Sequence, residues 1–97
     1  MTALQRPKSV SVRISGRVQG VCFRTWTGKQ AVALGLDGWV RNRTDGTVEA
    51  VFRGPALDVD KMVANCRSGP PAALVSKVEA APGPHQVATG FRLLPTK

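Results

Sequence analysis

Val10, Val12 and Ile14 alternate with Ser11, Arg13 and Ser15, so the segment Ser9–Ser15 predicts a strand with one face buried. After a loop, Phe23, Thr27, Ala31 and Leu34 fall at helical spacing and predict a helix over Arg24–Leu34. This helix is weakened by Gly28 in its interior, which costs about 1 kcal/mol against alanine. Gly35 suits a left-handed C-terminal cap. Asp37–Asn42 reads as a second strand, Thr44-Asp45-Gly46 as a hairpin turn, and Thr47–Arg53 as its partner with Val48, Ala50 and Phe52 on one face. Gly54-Pro55 opens a second helix, in which Val59, Met62, Val63 and Cys66 give the apolar stripe. Asp58 and Asp60 sit near its positive end, where acids are favoured. Gly69-Pro70-Pro71 stops it. Ala73–Ala80 predicts a further strand, and Val87–Leu94 an extended closing segment with Phe91 and Leu93 on one face.

The order strand, helix, strand, strand, helix, strand is the split βαβ pattern of an α+β, ferredoxin-like sandwich. It predicts a mostly antiparallel sheet, two helices on one of its faces, and a short extra C-terminal strand. Ninety-seven residues fit one such domain, expected over 8–97 behind a flexible basic tail at 1–7. No repeat or low-complexity tract interrupts it.

Charge adds a direction. Fourteen Lys and Arg against six Asp and Glu give a net +8, a field that attracts anions without choosing among them. No apolar run is long enough for a membrane helix, and Met1–Lys8 has no secretory pattern, so a cytoplasmic protein is expected. Cys22 and Cys66 are too few for a disulfide scaffold, and reduced thiols are expected; Cys22 reads as a small packing residue.

The segment with most chemistry is Gly16-Arg17-Val18-Gln19-Gly20-Val21-Cys22-Phe23-Arg24, which joins the first strand to the first helix. Its glycines let backbone approach a ligand closely, and N–H groups at a helix start converge on anions. Arg24 adds a planar fork that grips two phosphate or carboxylate oxygens. Glycines at such a place are also, very often, only a turn. The loop is not a nucleotide phosphate loop, since it lacks the Gly-Lys-Ser/Thr ending. His85, the one histidine, lies in a proline-rich loop and reads as a surface residue. The acids are scattered, so neither a metal-ligand cluster nor an acid–base catalyst is evident, and no cofactor is expected. Asn42, beside the hairpin, has an ordinary role there too, because asparagine favours turns.

That loop, together with Gly38-Trp39-Val40-Arg41-Asn42 and Asp45-Gly46-Thr47-Val48-Glu49, resembles the two signature motifs of the acylphosphatases, in matching order and separation. Gly54 and Gly69-Pro70-Pro71 extend the likeness, which covers roughly residues 8–94. The resemblance implies the ferredoxin-like fold and metal-independent hydrolysis of a carboxyl–phosphate anhydride to a carboxylate and inorganic phosphate. It implies that Arg24 and backbone N–H groups of Gly16–Phe23 bind the phosphoryl group, and that Asn42 orients the attacking water. An acyl-phosphate substrate, phosphate as product and competitive inhibitor, and a monomer follow as expectations. The chain departs from the family at its last residues. Leu94-Pro95-Thr96-Lys97 stands where an aromatic or arginine is common, which leaves the packing of the last strand open.

The chemistry fits this residue set. A carboxylate, whose conjugate acid has a pKa of roughly 4, leaves without help from a general acid. What remains is to position water and to stabilise charged oxygens, tasks for N–H donors and an arginine. The rival reading is a nucleic-acid-binding ferredoxin-like domain, which would stack bases on exposed aromatics. Only Phe23, Phe52, Phe91, Trp26 and Trp39 are available, and the RNA-recognition signature is missing, so that reading rests on charge alone. A further rival is a binding or carbamoyl-phosphate role within a larger maturation protein; one domain that keeps both proposed catalytic residues favours a free-standing enzyme.

Overall fold

The computed structural model describes residues 6–97, so residues 1–5 of the expected tail lie outside the described residues. The chain runs β1 (Pro7–Arg17), α1 (Phe23–Ala33), β2 (Asp37–Asn42), β3 (Val48–Pro55), α2 (Ala56–Cys66), β4 (Leu74–Pro82) and β5 (Phe91–Leu93). The sheet order is β4-β1-β3-β2-β5. β1 pairs antiparallel with β3 and β4, and β2 pairs antiparallel with β3 but parallel with β5. Two split βαβ units thus interleave, each helix carrying the chain over a strand of the other unit. This is the expected ferredoxin-like α+β architecture.

Cross-strand register explains why the alternation is legible. Val10 faces Phe52, Val12 faces Ala50 and Ile14 faces Val48, so all six lie on the helix side. Val40, Phe23, Ala31, Val59, Met62 and Cys66 join them in one buried core. Burial pushes the Cys66 thiol up to about 12, which leaves it a neutral packing group. β1 begins two residues before Ser9 because Pro7 and Lys8 find partners in Pro55 and Gly54.

The other sheet face is closed by its own charges. Arg41 lies over the Trp39 ring at 4.5 Å and holds Glu49, with Nε–Oε1 at 2.8 Å. Arg13 and Arg43 approach the same carboxylate at 3.7 Å. The remaining aromatics pack inward: Trp26 meets Phe23 edge-on at 5.3 Å, and Phe52 stacks on Phe91 at 5.7 Å. No exposed stacking platform of the kind a sheet-surface RNA reader uses is present among the described residues.

The last strand is shorter than expected. Only Phe91–Leu93 pairs, because Gly90 turns at φ 92 and its N–H is held by Asp37 Oδ1 at 2.8 Å. Phe91 and Phe52 both pair with Gly38, from opposite sides, and their rings stack on the face of the strand between them. Gly38 has φ 138, and a Cβ there would lie 1.8 Å from the Val51 carbonyl oxygen. Only glycine fits. Beyond β5, Leu94 N–H donates to Val40 O at 2.9 Å and Lys97 N–H to Asn42 O at 3.0 Å. The end of the chain therefore docks along β2 with no terminal aromatic.

Candidate active site

The corner between β1 and α1 is built around an unusual residue. Cys22 adopts the left-handed conformation, with φ 62 and ψ 27, the one non-glycine residue to do so among those described. For an L-residue this costs on the order of 1–3 kcal/mol, a strain typical of ligand clamps. Cys22 is exposed, which corrects its expected packing role: the left-handed turn swings its side chain away from the core that Val18 and Phe23 enter on either side.

The turn makes α1 start abruptly. The first helical bond runs from Trp26 N–H to Cys22 O at 3.0 Å, leaving the N–H groups of Phe23, Arg24 and Thr25 without intrahelical acceptors. No side chain caps this end and no acid occupies its first turn. Open donors and the positive end of the helix dipole together favour an anion.

A cavity of about 430 Å³ opens in front of this end, lined by Val18, Gly20, Cys22, Phe23, Arg24, Thr25, Asn42 and Leu93. Arg24 and Asn42, far apart in sequence, thus share one cavity. Arg24 is half-buried, and among the described residues no acid or carbonyl engages its guanidinium. The other loop positions are used differently. Gly16 and Arg17 belong to β1, paired with Val75 and Leu74, and Val21 packs toward the core. Gln19 is a brace. Its amide Nε2 donates to the carbonyls of Arg43 at 2.7 Å and Thr47 at 2.9 Å, which ties the loop to the β2–β3 turn beside Asn42. The same turn is locked by Asp45 Oδ1, which accepts from Thr47 N at 2.9 Å and Thr47 Oγ1 at 2.6 Å.

Sequence reasoning missed Thr25 and Leu93 as lining residues. Thr25 carries a hydroxyl in the first turn beside Arg24, a readable signal. Leu93 had none, since its place depends on the docking of β5. Among the described residues, no three His, Cys, Asp or Glu side chains converge as metal ligands. No helix is long and apolar enough to cross a membrane there either.

Fold and cavity together define a ferredoxin-like domain with a cavity at a strand–loop–helix corner, in front of an uncapped helix start. Residues 10–93 match the acylphosphatase family model. The chain is 52% identical over 98 residues to an acylphosphatase of Rhizorhabdus wittichii, covering 99% of both chains. It is 51% identical over 89 residues to one from Rhodospirillum rubrum, covering 92% of this chain and 98% of that one. The solved acylphosphatase of Coxiella burnetii superposes with a TM-score of 0.87 at 35% identity, over 91% of this chain and 93% of that chain. The chain belongs to the acylphosphatase family, whose members are hydrolases acting on acid anhydrides.

Proposed function

We propose that this enzyme hydrolyses the carboxyl–phosphate anhydride of acyl phosphates, and that it does so without a metal ion. The observation that carries the reading is the meeting of Arg24, the open N–H groups at the start of α1 and the Asn42 amide around one cavity. The phosphoryl group sits against the part of the loop that lines the cavity, from Val18 to Phe23, held by N–H groups there and by the Arg24 fork, while Gly16 and Arg17 stay paired in the sheet. Asn42 cannot deprotonate water at neutral pH, so it acts by orientation, holding water in line with the bond to be broken. The leaving carboxylate needs no general acid, and the charge on the phosphoryl oxygens is met by donors already fixed in place. Two free thiols suit a reducing, cytoplasmic setting.

The test is phosphate release from benzoyl phosphate in excess chelator by wild type, Arg24→Ala and Asn42→Ala. Wild type turns over. Arg24→Ala loses about 10³-fold or more and is poorly inhibited by inorganic phosphate. Asn42→Ala loses about 10²-fold in turnover while phosphate still competes. No hydrolysis by folded wild type overturns the activity, and unchanged phosphate inhibition in Arg24→Ala overturns the role of that arginine.

A further inference from the structure

Behind the cavity lies a second depression that the hydrolytic step does not use. It is a groove of about 480 Å³ between α1 and β5, lined by Thr25, Gly28, Lys29, Val32, Ala33, Phe91 and Leu93. Thr25 is three and four residues before Gly28 and Lys29, which in turn lie four and three before Val32, so the four form a single stripe along the helix. Leu93 approaches so closely that a Cβ on Gly28 would lie 2.8 Å from Leu93 Cδ1. The glycine that weakens α1 is therefore the place where β5 fits against it.

The groove is apolar and wet. Val32 is 67% exposed and Leu93 50%, two of four large hydrophobic side chains left in water among the described residues. Single exposed hydrophobes need no explanation, but a pair converging with Phe91 beside a catalytic cavity points to something that covers them. Thr25 and Leu93 border both spaces, so groove and cavity adjoin along that wall. Whatever is bonded to a phosphoryl group in the cavity has to project out of it, and this groove begins at its edge.

We propose that the α1–β5 groove is an acyl subsite that selects acyl phosphates with a medium-length alkyl acyl group, long enough to run the roughly 10 Å of helix from Thr25 to Val32. The inference rests on the acyl-phosphate reading above. An apolar acyl group covers Val32, Phe91 and Leu93 and leaves the Lys29 ammonium in water. An acetyl group is too short to reach Val32, so the subsite acts on the choice among substrates and not on the bond cleavage itself.

The experiment compares kcat/KM for octanoyl phosphate and acetyl phosphate in wild type, Val32→Ser and Val32→Asp. Val32 is exposed, so both variants fold, as circular dichroism will check. The octanoyl-to-acetyl ratio falls about threefold in Val32→Ser and about tenfold in Val32→Asp, as apolar contact is lost and then replaced by a hydrated charge. Repulsion between Asp and the phosphate is common to both substrates and cancels in the ratio. A ratio unchanged in both variants overturns the acyl subsite while acyl-phosphate hydrolysis stands. Failure of wild type to hydrolyse either substrate overturns the functional reading, and the subsite with it.

Discussion

The two helices are equal in length, eleven residues each, and opposite in construction. α2 buries Val59, Met62 and Cys66, starts directly after Pro55 and carries Asp58 in its first turn. It lacks a side-chain cap, as α1 does, but an acid meets its positive end and its buried side chains are larger on average. α1 buries one large side chain, Phe23, with only Thr27, Gly28 and Ala31 beside it. Its first turn has neither cap nor acid, and it begins at a strained cysteine. The end of α1 that lacks stabilising groups is the end that faces the cavity. An acid or a capping side chain there would occupy those donors, so α2 secures the fold while the start of α1 keeps its N–H groups open.

The largest test of this division is Met62→Ala. It should remove about 3–4 kcal/mol of stability in urea denaturation, with kcat/KM of the remaining folded enzyme unchanged. Thr25→Asp tests the other helix by giving it the acid that α2 has. We expect kcat/KM to fall about 100-fold, near 2.7 kcal/mol, with stability unchanged or slightly higher. If activity survives that substitution, the bare N-terminus is not an anion site. The converse change, Asp58→Asn, should cost about 0.3–1 kcal/mol of stability and leave kinetics alone.

A third acid gives the smallest effect. The Thr47 hydroxyl holds the Asp45 carboxyl below its usual value, helped by the Thr47 N–H and then, against slight desolvation, by Arg13 and Arg43. A lowered folded pKa means a contribution that is complete above the ordinary aspartate range and lost as pH falls through the folded value. Wild type should therefore exceed Asp45→Asn in urea midpoint at neutral pH, and the two should converge in strong acid. A gap that persists there would mean that the carboxylate charge is not what locks the turn.

Much of this was legible along the chain. Val10, Val12, Ile14, Val48, Ala50 and Phe52 declare a buried face because strands repeat every two residues, and Val59, Met62 and Cys66 declare a helix. Arg24 follows from a loop leading into a helix, but Asn42 beside a turn has an ordinary explanation, and only family likeness singles it out. What could not be read depends on distant partners. The bonds from Gln19 to Arg43 and Thr47 cross from one element to another. Gly28 looks like a defect until Leu93 is set against it, and the exposure of Cys22 follows from a dihedral angle no pattern announces. β5 is short because Gly90 turns, although apolar spacing alone extends it back to Val87.

The docking of β5 also orders events in time. Leu93 lines the cavity, and the segment beyond it closes on Asn42 through the Lys97 N–H. A ribosome delivers these residues after those of β1, α1, β2, β3, α2 and β4. A nascent chain stalled before Phe91 would hold Arg24 and Asn42 in a collapsed domain that lacks one wall of its cavity. The cavity is thus walled in only once Phe91–Lys97 are made, and a protease that removed them would open it while sparing most of the core.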